Sequence, residues 1–299
     1  MHRTQAILLA LAWAVLAQAV EPPAAYTTAG RRALAHVSTA VEFGPRPAGS
    51  AAQAIQQAWI IKQLKASGAT VEELDFTAYT PLGPKRMKNI IAKFLGSSGR
   101  TVVISGHYDT YRRPGLNFVG ANDGGSSTGL LLSLAELLQG RRLTDNVWLA
   151  FFDGEESTVA WQGMDHTYGS RKQADAWQRS GVSRKIKALI NVDMIGDSDL
   201  SISYEGYSTP WLRNLIVNVA HGLGYVDEFQ EGPEQYIADD HMEFIQRRVP
   251  AADLIDFEYG EGNEHWHEES DTVDKLSARS LAVVLHVLDE SLKELAKRP

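Results

Sequence analysis

Hydrophobic positions along the chain follow two different patterns. In residues 29–41 and 276–296, among others, apolar residues recur at helical spacing, which is typical of a helix with one buried face. Elsewhere, short apolar runs end at glycine, proline or acidic residues, which favours buried strands. The predicted helices cover residues 29–41, 51–66, 130–138, 168–181, 210–223 and 276–296. The predicted strands cover residues 70–79, 88–95, 101–106, 146–152, 186–195 and 249–257.

The order of these elements predicts the fold class. After residue 100, strands alternate with helices, which indicates a mostly parallel sheet with helices on both faces. The two earlier strands are joined through residues 81–84, and we expect them to form an antiparallel hairpin at the edge of the sheet. No repeat or long linker interrupts the pattern. We therefore predict a single α/β domain over residues 29–299, with a central mixed, mostly parallel sheet, preceded by a flexible Pro- and Ala-rich segment at residues 20–28.

The N-terminus has the pattern of a secretory signal peptide. Arg3 is followed by an apolar run from residue 6 to residue 17, and Ala17-Gln18-Ala19 is a cleavage signal of small residues. The apolar run is too short to cross a bilayer, although an uncleaved anchor is the alternative. We expect cleavage after Ala19, a signal peptide at residues 1–19, and export to the periplasm or the medium.

Composition excludes several classes of function. The chain of 299 residues has a formal net charge of -8 and no long basic run, which argues against binding to nucleic acid or to an anionic membrane. It has no cysteine, so disulfides and a cysteine nucleophile are excluded. Any metal site must therefore use His, Asp and Glu side chains.

An acidic turn follows the predicted strand 146–152. The turn reads Asp153-Gly154-Glu155-Glu156, and in open α/β sheets ligands bind at this carboxyl edge. Two neighbouring carboxylates can take different roles there, one as a metal ligand and the other as a general base. An isolated Glu-Glu pair is more often a solvated turn, so the other residues at this edge decide between the two interpretations.

Further acids and histidines lie at or near predicted strand ends. Each of them alone has an ordinary structural explanation, such as Asp123 as a helix N-cap. Together they would be a self-repelling cluster, for which a bound cation is the natural compensation. These ligand types suit zinc, which in catalytic sites binds about three protein ligands and keeps one position open. The full set is His107, Asp109, Asp123, Glu155, Glu156, Asp193, Asp239, Asp240, His241 and His267.

The motifs around these residues resemble the zinc exopeptidase superfamily, which includes secreted aminopeptidases. Within it, the chain is most similar to the zinc-dependent glutaminyl cyclases (glutaminyl-peptide cyclotransferases), and the similarity extends from about residue 30 to the C-terminus. The motifs shared with the superfamily are His107-Tyr-Asp109, Ala121-Asn-Asp123, Phe151-Phe-Asp-Gly-Glu-Glu156, Asp193-Met-Ile-Gly196 and Trp266-His267. The motifs that resemble the glutaminyl cyclases in particular are Trp161, Tyr168-Gly-Ser-Arg171, Asp239-Asp240-His241 and Val249-Pro250.

The resemblance implies a specific metal site and a specific base. It implies one zinc ion bound by Asp123, Glu156 and His267, with Glu155 as the general acid/base. If the chain were an aminopeptidase instead, two zinc ions would be implied.

The resemblance also implies roles for residues around this site. Asp193 and Asp239 would form a hydrogen-bonded acidic network beside the base. Trp161 and Trp266 would wall the substrate pocket, although as plain core residues they would need no such role.

A third set of residues is implied to support the site. His107 and Asp109 match positions that serve a second metal in aminopeptidases. Asp240 and His241 complete the motif after Asp239, and His241 is interpreted as a residue that orients a neighbour. Where animal cyclases have a histidine in the last strand, this chain has Asp253, as bacterial cyclases do, so the resemblance is to the bacterial type. Asp271 is interpreted as a helix cap or a solvated charge.

The resemblance therefore implies an enzyme that converts N-terminal glutamine of peptides or proteins into pyroglutamate and releases ammonia. We expect a monomer with zinc as cofactor. The alternative is a secreted two-zinc aminopeptidase, in which Glu155 would activate a metal-bound water and His107 and Asp193 would complete the second metal site. A non-catalytic binding domain is the third alternative.

Overall fold

A computed structural model describes residues 19–298, so the predicted signal peptide lies almost entirely outside the described residues. The helices are α1 (Ala24–Glu42), α2 (Ala51–Ala66), α3 (Gly125–Leu138), α4 (Tyr168–Ser180), α5 (Pro210–Gly222), α6 (His241–Ile245) and α7 (Ala278–Ala296). The strands are β1 (Thr70–Thr80), β2 (Gly83–Phe94), β3 (Thr101–His107), β4 (Asn146–Phe152), β5 (Ile186–Asp193) and β6 (Ala251–Ile255). Short 3₁₀ turns cover Val182–Lys185, Glu261–Asn263 and Val273–Lys275.

The six strands form one mixed sheet in the order β1-β2-β4-β3-β5-β6. β1 and β2 are an antiparallel hairpin, and β2 is antiparallel to β4. β4, β3, β5 and β6 run parallel to one another. The predicted parallel sheet with an antiparallel hairpin at its edge is confirmed. Within it, His107 pairs with Phe152, so β3 and β4 leave the sheet side by side at their carboxyl ends.

Helices cover both faces of the sheet, as predicted. Neighbouring strand residues point to opposite faces, so Ile104 joins one hydrophobic core and Val103 the other. The larger core is shared with α1, α2, α3, α5 and α7. The smaller core is shared with α4 and α6, which contribute Trp177 and Phe244. With both faces buried, the strands read as continuous apolar runs rather than as an alternating pattern.

The prediction of a flexible segment at residues 20–28 is wrong for its second half. Helix α1 begins at Ala24, and Tyr26 is buried and donates a hydrogen bond to Asp289. Pro23 is the N-cap residue, and its carbonyl accepts the N–H of Tyr26 at 2.9 Å. Proline is compatible with a helix start, because the first N–H groups of a helix have no intrahelical partner.

Other predicted boundaries differ by a few residues. Helix α7 begins at Ala278 rather than at residue 276, because the Ser277 side chain caps it by accepting the N–H groups of Arg279 and Ser280. Helix α6 was not predicted, because five residues are too few for a periodic pattern. Within residues 19–298, no helix has the length and apolar character needed to cross a bilayer.

Candidate metal centre and active-site pocket

Two glycines shape the loops that carry the acidic residues. Gly124 follows Asp123 with φ +76°, and an added Cβ would lie 2.3 Å from the carbonyl oxygen of Asp109. Gly154 has φ +67° in the turn between β4 and Glu155. Both positions need the left-handed conformation that glycine adopts without steric cost. The chain can therefore turn sharply at the end of β4 and at the start of α3.

Asp123, Glu156 and His267 meet at the carboxyl edge of the sheet. The Nε2 atom of His267 lies 3.2 Å from Asp123 Oδ2 and 3.0 Å from Glu156 Oε1. Ligand atoms about 2.0–2.2 Å from a tetrahedral zinc ion would be about 3.3 Å apart, so these three atoms have suitable spacing. Asp123 Oδ2 is buried and has no hydrogen-bond partner within residues 19–298. The predicted ligand set is brought together and fits a metal ion.

Asp123 also belongs to a second group of three. Its Oδ1 atom lies 3.2 Å from His107 Nε2, which in turn lies 3.1 Å from Asp193 Oδ1. The two carboxylate oxygens of Asp123 therefore face two different histidines, and each group is arranged so that it could hold a metal. The arrangement of side chains is compatible with one ion or with two.

Asp109 is not part of either group. Its carboxylate accepts the backbone N–H groups of Glu155 at 3.1 Å and Glu156 at 3.4 Å. The closest approach of Asp109 to His107 is 3.6 Å, at the Nδ1 side of the ring. Asp109 therefore holds the Glu155-Glu156 turn in place, and Asp193 rather than Asp109 completes the group around His107.

Asp271 holds the turn that presents Asp123, a role that the sequence analysis missed. Its two carboxylate oxygens accept the N–H of Asn122 at 2.7 Å and of Asp123 at 3.1 Å. Tyr259 donates its hydroxyl to the same carboxylate at 2.8 Å. Asp271 is fully buried, so its interpretation as a cap or solvated charge is wrong. Its position four residues after His267 was the available signal. One loop can then provide the candidate ligand His267 and also hold the turn that carries Asp123.

The buried acidic residues of this site have too few positively charged neighbours to balance their negative charges. Burial raises the pKa of Glu155 well above its usual value; Asp239 and Glu156 raise it further, and His107 opposes them. Burial and the charge of Asp123 raise the pKa of Glu156 to about 8. The two histidines thus do not compensate all the carboxylates. A divalent cation would, which is the electrostatic reason to expect one here.

A cavity of about 360 Å³ opens beside the metal group. Trp161 and Trp266 line it, as predicted, and are about two-fifths exposed at its mouth. The Trp266 ring stacks on His267 with ring centroids 4.2 Å apart, and Trp161 stacks on His166 at 4.4 Å. Sequence reasoning missed the apolar part of the wall, which includes Ile237, Ile255 and Phe257. The full lining is Asp123, Glu155, Glu156, Trp161, Asp193, Tyr236, Ile237, Ala238, Asp239, Ile255, Phe257, Trp266 and His267.

Two backbone positions at this site are strained. His267 has φ +58°, and Met194, directly after Asp193, has φ +46°. Non-glycine residues in this region cost about 1–3 kcal/mol and cluster at functional sites, where the surrounding structure holds them. The strained positions therefore lie in the two loops that place His267 and Asp193 in the cluster.

Asp240 and His241 lie behind the pocket and are fully buried. The backbone N–H of Asp240 donates to the Asp239 carboxylate, and the Asp240 carboxylate is in neither group around Asp123. The ring of His241 lies 3.3 Å from Glu205 and 3.8 Å from Asp253. Neither residue therefore belongs to the two groups around Asp123, and His241 lies instead in a third close group, with Asp239 and Asp253.

Known proteins share the sequence pattern and the fold of this chain. Residues 89–291 match Peptidase family M28. The crystal structure of a glutaminyl cyclase from an Acidobacteriales bacterium is 35% identical and superimposes with a TM-score of 0.88, covering 95% of this chain and 99% of that chain. A Porphyromonas gingivalis glutaminyl cyclase is 28% identical with a TM-score of 0.80, covering 89% and 98% of the two chains. The glutaminyl-peptide cyclotransferase of Drosophila melanogaster is 28% identical over 271 residues, which are 81% of this chain and 76% of that relative. The chain therefore belongs to peptidase family M28, as a homologue of the glutaminyl cyclases.

Proposed function

We propose that this protein cyclises N-terminal glutamine of peptides to pyroglutamate, with release of ammonia, and that it uses one zinc ion held by Asp123, Glu156 and His267. The homology to glutaminyl cyclases over nearly the whole chain supports this reaction. The observation that carries the proposal is the shared cavity, which Glu155 lines together with the candidate metal ligands and two tryptophans.

Glu155 is the proposed proton carrier. The substrate α-amine attacks the γ-carbonyl carbon of its own side chain; a C–N bond forms, the amide C–N bond breaks, and ammonia leaves. Glu155 accepts the proton from the attacking amine and delivers it to the leaving nitrogen, so that protons balance over the reaction. Zinc, when bound, would supply a Lewis acid for the γ-carbonyl oxygen. Asp193 and Asp239 line the cavity together with Glu155, and the charge of Asp239 adds to the effect of burial in raising the pKa of Glu155.

The pocket walls suit an intramolecular reaction. The glutamine side chain must fold back over its own amine, and holding it in that shape supplies part of the acceleration. Trp161 and Trp266 provide flat apolar surfaces on the cavity for such a compact substrate. Their indole rings also limit the access of water, which disfavours hydrolysis of the side chain to glutamate.

One structural observation favours a second candidate, a two-zinc aminopeptidase. The group of His107, Asp123 and Asp193 has the same close spacing as the first group and shares its Asp123. With two ions bound, Glu155 would act on a water rather than on the substrate amine.

A product assay tests the proposal. The zinc-loaded protein is incubated with two peptides that differ only in an N-terminal glutamine or leucine, and both ammonia and free amino acid are measured. We expect ammonia from the glutamine peptide, no free leucine, and one zinc per chain by elemental analysis. Free leucine without ammonia, with two zinc ions per chain, would establish the aminopeptidase. A metal-loaded protein that acts on neither peptide would point to a binding domain.

We further propose that the protein is exported after cleavage following Ala19 and acts as a monomer, with residues 29–299 as its catalytic domain. N-terminal sequencing of the protein recovered outside the cytoplasm should begin at Val20, and light scattering should give the mass of one chain. An N-terminus at Met1, or a dimer mass, would contradict these two points.

A further inference from the structure

His241 occupies a buried position between two acidic residues. It is the first residue of α6 and lies two positions after Asp239, which lines the cavity. Its Nε2 atom is 3.3 Å from Glu205 Oε2, and its Nδ1 atom is 3.8 Å from Asp253 Oδ2. All three side chains are buried. The imidazole ring therefore bridges two acidic side chains from different parts of the fold by close approach, and neither of its nitrogens makes a hydrogen bond within residues 19–298.

Glu205 connects this bridge to the wall of the pocket. Its Oε1 atom accepts the backbone N–H of Tyr207 at 2.7 Å and of Ile237 at 3.3 Å, and its Oε2 atom accepts the N–H of Ser208 at 2.6 Å. Burial opposes ionisation of Glu205, but the nearby ring of His241 and the hydrogen bonds from residues 207 and 208 outweigh it and lower its pKa. An ionised Glu205 thus anchors the backbone two residues before Asp239.

Asp253 connects the other side of the bridge to Asp239 itself. The side-chain amide of Asn191, on β5, donates to Asp239 Oδ2 at 2.9 Å and to Asp253 Oδ1 at 3.1 Å. Ser105, on β3, donates to the carbonyl oxygen of the same amide at 2.9 Å and so fixes its orientation. The second oxygen of Asp253 faces His241 and has no hydrogen-bond partner elsewhere in the described part of the chain.

We propose that His241 is a positioning residue for Asp239: by bridging Glu205 and Asp253, it holds the segment 237–239 against the sheet so that Asp239 stands beside Glu155. This role rests on the proposed cyclase activity and concerns the same pocket. Without the ring, the buried carboxylate of Glu205 would lose the neighbour that favours its ionised form, and the backbone that Glu205 anchors would shift together with Asp239.

Two substitutions of different chemistry test the role. His241→Leu fills most of the space without polar atoms, whereas His241→Gln keeps a side-chain N–H that can donate to Glu205. We expect His241→Leu to lower kcat for a glutamine peptide about 10- to 100-fold, as a small displacement of a catalytic side chain does, with KM changed less than about threefold. His241→Gln should recover part of that loss. Zinc content should stay at the wild-type value in both variants.

His286→Gln is the matched control, because His286 is also a buried histidine with a side-chain hydrogen bond but packs between Tyr26 and Tyr225, away from the cavity. It should leave kcat unchanged. A folded, zinc-loaded His241→Leu variant with wild-type kcat would overturn the proposal.

If neither His241 variant folds, Asp253→Asn decides, since it keeps the size of the side chain and replaces the acidic group that faces the ring. A lowered kcat at unchanged KM supports the role, and wild-type kcat overturns it. Loss of a bound metal ion in Asp253→Asn would also overturn it, because the group would then hold a cation instead of a bridging ring. Activity of the wild-type protein on the glutamine peptide is measured first, and its absence would contradict the cyclase proposal. If the wild type is active and the variants have the same kcat, only the proposed role of His241 is contradicted.

Discussion

Two buried sites in this protein, a cluster around the single acid Asp289 and the cluster of acids around Asp123, differ in how their charges are compensated. Between α1 and α7, Asp289 accepts hydrogen bonds from Tyr26 at 2.6 Å and from Arg141 at 2.5 Å, and Lys293 lies 3.3 Å away. Although burial opposes ionisation, these partners lower the pKa of Asp289. At the metal centre, burial and neighbouring acids instead raise the pKa values of Glu155 and Glu156.

The contrast shows how a structural cluster differs from a functional one. Asp289 is fully provided with protein partners, so nothing further is needed to stabilise it. Around Asp123, one carboxylate oxygen remains without a hydrogen-bond partner within residues 19–298, and more acids are present than the histidines can balance. Such an incomplete cluster is unfavourable for folding and leaves coordination positions for a cation and a substrate. Each prediction below changes one of the two clusters.

The largest effect should come from Glu155→Gln. The amide has the size of the carboxylate but cannot accept a proton from the attacking amine, so we expect kcat for a glutamine peptide to fall about 10³-fold, within the range for a general acid/base. Zinc content should remain that of the wild type. Loss of the metal together with activity would show that the roles of Glu155 and Glu156 are reversed.

His267→Ala should act on the metal first. Removing one of three protein ligands should weaken zinc binding by more than about 100-fold. Residues that only orient a ligand reach about 100-fold at most, and a ligand itself should contribute more. Competition with a chromophoric chelator measures the affinity, and added zinc should no longer raise the thermal midpoint as it does for the wild type. An unchanged affinity would place the metal elsewhere.

Asp271→Asn should have a smaller effect on the same centre. The substitution replaces one of the two acceptor oxygens by an NH2 donor, so the N–H of either Asn122 or Asp123 would face a donor instead of its acceptor. We expect the turn that presents Asp123 to loosen and zinc affinity to fall about 10-fold, as when a partner of a ligand is removed. The same chelator competition measures it. An affinity equal to that of the wild type would mean that the turn keeps its shape without the clamp.

Asp289→Asn should affect stability and leave activity unchanged. Breaking hydrogen bonds to a buried charged group costs about 1–3 kcal/mol in the free energy of unfolding. The pKa of Asp289 is lowered from its ordinary value of 3.8, so the carboxylate contributes stability above the unfolded-state pKa and loses it as pH falls through the folded-state pKa. Urea unfolding should therefore show the full difference between variant and wild type at pH 7 and a shrinking one below about pH 4. A difference that persists at pH 2–3 would show that packing, not charge, is the cause.

Much of the fold was predictable because local patterns and tertiary structure agree. The hairpin, the four parallel strands and the long helices all follow from apolar runs and their spacing. The errors fall where local signals are weak: α1 extends into a segment rich in proline and alanine because Tyr26 is buried against α7, and α6 is too short to show a period.

The meeting of the three proposed ligands was predictable, but the residues that support them were not. Asp123, Glu156 and His267 stand in motifs, and the strand order brings them to one edge. Asp271 and Glu205 carry no such motif, and their functions arise from contacts with backbone N–H groups distant in sequence.

The order of residues thus determines which chemical groups arrive at the carboxyl edge of the sheet, because strand and helix periods are local properties of a chain. Which carboxylates meet a cationic partner and which remain uncompensated depends on side chains more than a hundred residues apart, as with Glu156 and His267 or Tyr26 and Asp289. Only the folded structure decides this, since burial and the distance between charges control each pKa and neither is a property of a single segment.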